Sequence, residues 1–390
     1  MKKGRKLLLI AAVLALTAFL IVLPNMELFR ETVLPDFESP AENVVYEDTG
    51  AGSSPYKYYV NQLNDDQKEA YYAVLNHIDE MPEKIRIPKL SGKELNELFS
   101  ALTLDNPRLF CIGSKCTIIS VGSLSYFKVD YTMSPEDYRR ALAETDARAD
   151  AVIASLTSPA DQWQTEREVH DAIIAGAEYL FEEDNDDCAS AYGALVQGKA
   201  SCEGYSRALK FILDKAGIES HLISGTGTDA QGESGSHMWN AVRINGVWCH
   251  LDVTWDDPVG GAYTDYSYFN VTDEEINLDH SDWHFAHKCI SNSQSYYYSR
   301  CLYCTEWNGR SVSTLAGPIG REITAGCRAV TLKFADEAAY RAALSALFER
   351  EAVYDLMAAA ADYTPVHFSV ISLQYSKNDT KRTVTLVPEF

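Results

Sequence analysis

Asn245-Gly246 separates two runs rich in β-branched and aromatic residues, His237–Ile244 and Val247–Trp255. Asn-Gly is the strongest short signal for a two-residue hairpin, because a type I′ turn needs positive φ at both central positions. The constraint reaches beyond the turn. A two-residue loop makes Ile244 face Val247, so Trp239 faces Asp252 and His237 faces Thr254. His237 and Asp252 then share one face of the hairpin as diagonal neighbours, roughly 7 Å apart. A one-residue bulge would put them on opposite faces, so the pairing depends on the register.

Upstream, Gly198-Lys199-Ala200-Ser201-Cys202-Glu203-Gly204-Tyr205-Ser206 leads into a helical stripe of Tyr205, Leu209, Ile212, Leu213 and Ala216. Gly217 fits a left-handed cap just past the end. The pattern predicts a helix that begins near Cys202. A thiol there faces unpaired N–H groups and the positive end of the helix dipole, and both favour the nucleophilic thiolate. The same N–H groups suit a developing oxyanion. A helix-start Cys followed by a His–Asp pair on a hairpin fits acyl transfer. Cys202 attacks a carbonyl carbon, His237 takes and returns the proton, and Asp252 holds the imidazole. Taken singly, each residue reads as packing or surface.

Three segments together resemble the bacterial transglutaminase-like superfamily. They are Gly198–Ser206, His237-Met238-Trp239-Asn240, and Trp248-Cys249-His250-Leu251-Asp252-Val253-Thr254-Trp255-Asp256-Asp257-Pro258. The resemblance covers Gln164 to His287 and includes His170-Asp171 and Ala191–Leu195. It implies a papain-like core, a helix packed on an antiparallel sheet, with Cys202, His237 and Asp252 as the catalytic triad. Family members include protein cross-linkers, peptidases and catalytically silent binding modules, so the reaction stays open. The calcium sites of animal transglutaminases have no matching motif here. Tyr192, Tyr179 and Trp239 are candidates for a second oxyanion donor or a substrate groove, with core packing as the alternative.

Charge narrows the partners. Lys+Arg is 34 against Asp+Glu 56, a net −22. So acidic a chain repels phosphate backbones, and nucleic acid is excluded as a partner. The exception is the amino end, where Lys2, Lys3, Arg5 and Lys6 precede an apolar run, Leu7–Leu23, closed by Pro24. That pattern predicts a membrane helix over 1–24 with its basic flank in the cytoplasm. No small-residue pair marks a cleavage site, so it reads as an uncleaved anchor, with a cleaved signal as the alternative. Residues 25–56, with Pro35, Pro40, Pro55 and a Gly/Ser tract, read as a linker.

An N-terminal α+β domain is expected over 57–160. Asn64 with Gln67 and Ser91 with Glu94 form capping boxes, and Ser134-Pro135 opens a long helix. β-like runs fall at Leu109–Ile112, Thr117–Val121 and Tyr126–Tyr131. Cys111 and Cys116 read equally as a pair or as two buried thiols. The catalytic domain is expected over 161–298, opened by a Thr165–Glu168 capping box. A C-terminal α+β domain is expected over 299–390. It has a strand at Val330–Phe334, a helical stretch over Ala335–Ala361, and a hairpin around Lys377-Asn378-Asp379. Asp184–Asp187 reads as a solvated loop rather than a metal site, and the Asp256-Asp257-Pro258 turn as structural.

His280, His284, His287 and Cys289 precede Cys301-Leu302-Tyr303-Cys304. The set reads as ordinary packing, paired thiols, or a zinc site on His284, Cys289, Cys301 and Cys304, and a single C-x-x-C is only half of the strong zinc pattern.

The expectation is therefore an α+β protein with a papain-like transglutaminase core and flanking α+β domains. It is expected at the cell membrane with extracytoplasmic domains, or secreted if the signal is cleaved. Its substrate class is protein or peptide amide, and neither a cofactor nor a metal is assigned. The alternative is a silent cell-surface binding module on the same fold.

Overall fold

The computed structural model describes residues 54–122, 124–180, 186–257, 264–365 and 370–389. The expected anchor over 1–24, nearly all of the linker, Pro258 and the first half of the Asp184–Asp187 loop lie outside these residues. Among the described residues no helix is long and apolar enough to cross a membrane. The protein is mixed α+β. It divides into two compact units: one runs to Arg243 and takes in Ser281–Phe285, the other holds Ile244–His280 and Ala286–Phe390.

The first unit opens on two capped helices. In α1, Asp65–His77, the Asn64 side chain accepts from Gln67 N while Gln67 returns the bond, and Ser91 and Glu94 do the same for α2, Gly92–Asp105. Both capping boxes stand as predicted. A three-stranded antiparallel sheet follows in the order β1 (Ile85–Ile87), β3 (Leu124–Tyr131), β2 (Ile112–Val121). Tyr71, Leu98, Leu102, Phe127 and Tyr138 fill the core between helices and sheet. Cys111 is buried here and makes no disulfide with Cys116. Burial pushes their thiols up to about 12 and about 11.

Ser134 caps α3, Pro135–Ser155, with Pro at its first turn. The next helix, α4, is Gln162–Gly176, and here the expectation is corrected. Asp161, not Thr165, is the N-cap, its side chain accepting from Gln164 N. Thr165 is buried inside the helix. Glu168 turns instead to Thr157, whose N–H lies 2.8 Å from Oε2 and whose hydroxyl bonds Oε1. Glu168 is the seventh residue of this helix, past the reach of its N-terminal N–H groups, and the loop donors of Thr157 take its carboxylate instead.

Two short parallel strands, β4 (Glu178–Tyr179) and β5 (Lys199–Ala200), feed the central helix α5, Cys202–Ala216. Its stripe of Tyr205, Leu209, Ile212 and Leu213 is fully buried. Gly217 at φ 76° closes it, with the Ile218 N–H returning to the Leu213 carbonyl at 2.9 Å. The helix lies on the antiparallel pair β6 (Ser220–Thr228) and β7 (Ser234–Ile244). This is the helix-on-sheet core that the resemblance implied.

The chain before α1 is docked on this core. Ser54 is buried, and the Lys210 ammonium lies 3.1 Å from its hydroxyl. Asp105 accepts the N–H groups of Tyr58, Tyr59 and Val60 at 2.9 to 3.0 Å.

In the second unit Asn245 (φ 51°) and Gly246 (φ 82°) make the turn into β8, Val247–Leu251. Positive φ at both central positions is the type I′ signature. The C-terminal sheet runs β9 (Tyr303–Cys304), β10 (Val330–Phe334), β12 (Thr383–Glu389), β11 (Ser372–Asn378), with β9 and β10 parallel and the rest antiparallel. α6, Ser311–Thr324, carries Pro318 inside it and packs on α8, Ala352–Ala361, closely enough that a Cβ on Gly320 would lie 2.7 Å from the Ala360 carbonyl. The single helical stretch expected over Ala335–Ala361 is instead α7 (Glu337–Leu344), a π-turn at Ser345–Glu349, and α8. Glu351 at φ 58° makes the break.

Candidate active site

Cys202 is the first residue of α5 and is half-buried. The approach to it is rigid. Ser201 donates its N–H to the Cys188 carbonyl at 2.8 Å. That carbonyl presses on the helix so closely that a Cβ on Gly204 would lie 2.3 Å from it. One turn on, the Ser206 hydroxyl sits 2.8 Å from the Cys202 carbonyl and 2.9 Å from the Met238 carbonyl. Asn240 donates to the Ser206 carbonyl at 3.0 Å. The first turn of α5 is thereby tied to β7 on both sides of Trp239.

His237 lies in β7 and is buried. It pairs across the ladder with Gly225, which has no side chain to cover it. Its ring stacks on Trp239, two residues along the same face, at 6.0 Å and 20°. Trp239 is fully buried and meets Trp283 edge-on at 6.3 Å.

Asp252 belongs to the second unit and is fully buried. Its position corrects the expected ladder. β8 ends at Leu251, and the run to Trp255 is a turn. Asp252 Oδ1 accepts the N–H groups of Thr254 at 3.0 Å and Trp255 at 3.2 Å. A short acid side chain offers the backbone an alternative to the ladder, and here it wins. The strand partner expected for His237, Thr254, is part of that turn.

Residues 146–253 match the profile of the family described as the Transglutaminase-like superfamily, a span that includes Cys202, His237 and Asp252. The chain carries a transglutaminase-like domain. A crystal structure of a TGase is similar at 13% identity over 44% of this chain and 50% of its own, with a TM-score of 0.27. The periplasmic domain of TgpA from Pseudomonas aeruginosa is similar at 17% identity over 34% of this chain and 56% of its own, with a TM-score of 0.23. The chain thus spans about half the length of these structures. No curated protein matches it.

Of the secondary residues of the transglutaminase-like domain, Trp239 stacks on a candidate catalytic side chain, the His237 ring. Tyr192 directs its hydroxyl at Glu144, 3.3 Å away, and stacks on Phe110. Tyr179 is exposed and stacks on Tyr205 at 6.4 Å.

His280 is the residue that sequence reasoning placed elsewhere. Read there only as a neighbour of the C-x-x-C, it is fully buried with Nε2 3.1 Å from Asp252 Oδ2 and Nδ1 2.8 Å from Asp279 Oδ1. No spacing rule joins positions 28 apart, one at a turn and the other in a short strand, so nothing local could have found it.

The zinc expectation also changes shape. Cys301 is exposed and Cys304 is buried in β9. Cys289 instead meets His250 and Asp273, with one ligand atom of each within 4.8 Å of the others. Asp273 Oδ1 receives His250 Nε2 at 3.0 Å and the Cys289 N–H at 3.2 Å. Burial holds His250 below the usual imidazole range and pushes the Cys289 thiol well up. Asp273 thus holds the His250 imidazole and the Cys289 backbone beside one another.

Proposed function

We propose that the protein is a thiol enzyme that cleaves or transfers acyl groups at peptide or glutamine amide bonds. Cys202 is the nucleophile, His237 its base, and Asp252 the group that orients the imidazole. One observation carries the reading: Cys202 opens α5, and Ser206 ties that turn to the carbonyl of Met238, the neighbour of His237. The family match over 146–253 supports it.

The chemistry follows from these positions. The first N–H groups of a helix have no partner inside it, so they can receive an oxyanion as the Cys202 sulfur adds to the amide carbon. His237 takes the thiol proton and delivers it to the departing amine or ammonia, leaving a thioester on Cys202. Water then gives hydrolysis, and a lysine amine gives a cross-link. The buried Trp239 beneath His237 keeps one side of the imidazole dry. The basic flank and apolar run at the amino end support an extracytoplasmic site for this work, anchored at a membrane.

The test uses casein with and without a primary-amine donor. Peptide release identifies a hydrolase and amine incorporation identifies a transferase, and each is abolished in Cys202→Ala. Unchanged turnover by Cys202→Ala, or Cys202 alkylation no faster than that of free cysteine at neutral pH, sinks the enzyme reading. Full biological function in Cys202→Ala would favour the silent binding module.

A further inference from the structure

Lys381 lies in the turn between β11 and β12 at the far end of the sequence, yet it is 1% exposed. Its ammonium lies 3.1 Å from Asp279 Oδ2 and 3.3 Å from Oδ1, and 3.8 Å above the Tyr268 ring. The Tyr268 hydroxyl donates to Asp279 Oδ2 at 2.8 Å. Asp279 passes the chain to His280, and His280 passes it to Asp252. Trp255 closes over the imidazole at 4.4 Å and Tyr268 stands at 5.7 Å. Lys333 fixes the Lys381 backbone, donating to its carbonyl at 2.7 Å while pairing with Glu275 at 3.3 Å.

Three buried titratable side chains and the half-buried Asp279 form one line, alternating base and acid, that stands because each satisfies the next. The order sets a proton. Burial alone would raise the Asp279 carboxyl, but His280, Lys381 and Tyr268 together hold it below the usual carboxylate range. An ionised Asp279 accepts from His280 Nδ1–H. The other ring nitrogen faces Asp252 Oδ2, so one proton must sit between Nε2 and that oxygen. Asp252 is then held at both oxygens, by backbone N–H groups at Oδ1 and by His280 at Oδ2.

We propose that His280 and Lys381 are positioning residues for Asp252: the C-terminal hairpin, through Lys381, Asp279 and His280, sets the orientation and charge of the carboxylate that the proposed triad uses. The inference rests on the triad reading for its consequence in catalysis. The terminal region is then part of the machinery that holds the site, and the transglutaminase-like segment alone lacks a component.

The experiment follows iodoacetamide alkylation of Cys202 in the full chain, by mass spectrometry of its peptide, from pH 5 to 9. Asp252→Asn should slow alkylation near pH 6 by roughly tenfold and move the profile to higher pH, the lower end of what a hydrogen bond to a charged group is worth. His280→Gln and Lys381→Met should move it the same way by about threefold or more, and Lys381→Arg should bring it back. A purely structural role would lower the unfolding midpoint and leave the profile in place, which overturns the proposal. Should Lys381→Met not fold, Tyr268→Phe removes one donor from Asp279 without changing shape, and an unmoved profile there overturns it equally. If Asp252→Asn itself leaves the profile unmoved, the triad reading fails. If Asp252→Asn moves it and the His280 and Lys381 variants do not, the triad stands and this inference falls.

Discussion

The Ser206 hydroxyl bridges two backbone carbonyls, that of Cys202 at 2.8 Å and that of Met238 at 2.9 Å. Its single proton joins the helix that presents the thiol to the strand that presents the imidazole. Ser206→Ala leaves the buried Met238 carbonyl short of a donor and should lower stability by about 1 to 3 kcal/mol, read by urea titration. Cys202 alkylation should slow while the rates at the exposed Cys301 stay unchanged. Equal slowing at both would point to a general effect rather than to this bond.

Gly204 meets a different limit. A Cβ there would lie 2.3 Å from the Cys188 carbonyl and 3.0 Å from Ala200 Cβ, both of which are set by backbone. Gly204→Ala should therefore cost about 1 to 3 kcal/mol through overpacking and displace the Cys202 turn. Gly217 has open space around it but a φ of 76°, so Gly217→Ala should cost only about 1 kcal/mol and leave alkylation of Cys202 unchanged. Measuring both variants separates a steric demand from a conformational one.

Where these elements begin and end was legible because their signals are local. Cys202 at the start of α5, Gly217 at its end, and positive φ at Asn245 and Gly246 all follow from residues within one turn of the feature. The misreadings share a cause as well. Asp252 left the ladder because its own carboxylate captured two backbone N–H groups, and Glu168 left its expected cap for Thr157. In each case a polar side chain had a rival partner that only the folded chain brings near. α6 had no counterpart in the sequence reading, and it carries inside it Pro318, a residue that ordinarily kinks or breaks a helix. The link from Asp252 through His280 to Lys381 lies wholly in tertiary contacts, beyond any periodicity.

The nine cysteines form no disulfide, so thiol reactivity can be compared across one molecule. Burial pushes Cys111 and Cys304 up to about 12 and Cys116 to about 11. At pH 8 their thiolate fractions are then about one part in ten thousand, and about one in a thousand for Cys116. Iodoacetamide at pH 8 should label Cys202 first and leave Cys111 and Cys304 unmodified until urea unfolds the chain. Early labelling of Cys111 would show that the core of the first unit opens far more readily than its packing implies.

Asp214 gives the first unit a pH dependence of its own. Burial raises its carboxyl to about 6, and the Lys210 ammonium at 3.1 Å and the Ser54 hydroxyl offset only part of that. The folded state therefore holds this proton more tightly than the unfolded chain, whose Asp titrates near 3.9. Its stabilisation is complete below about pH 4 and is lost as pH rises through about 6, a decline of up to about 3 kcal/mol. Asp214→Asn cannot titrate, so the difference in stability between wild type and variant should change across pH 4 to 6.5 and be flat above it. Lys210 also holds Ser54 and the Tyr56 carbonyl, so the carboxylate that forms as pH rises is the charged partner of the same clamp. Urea midpoints at half-unit pH steps for both proteins check the sign, and a difference independent of pH would refute the burial of an uncharged Asp214.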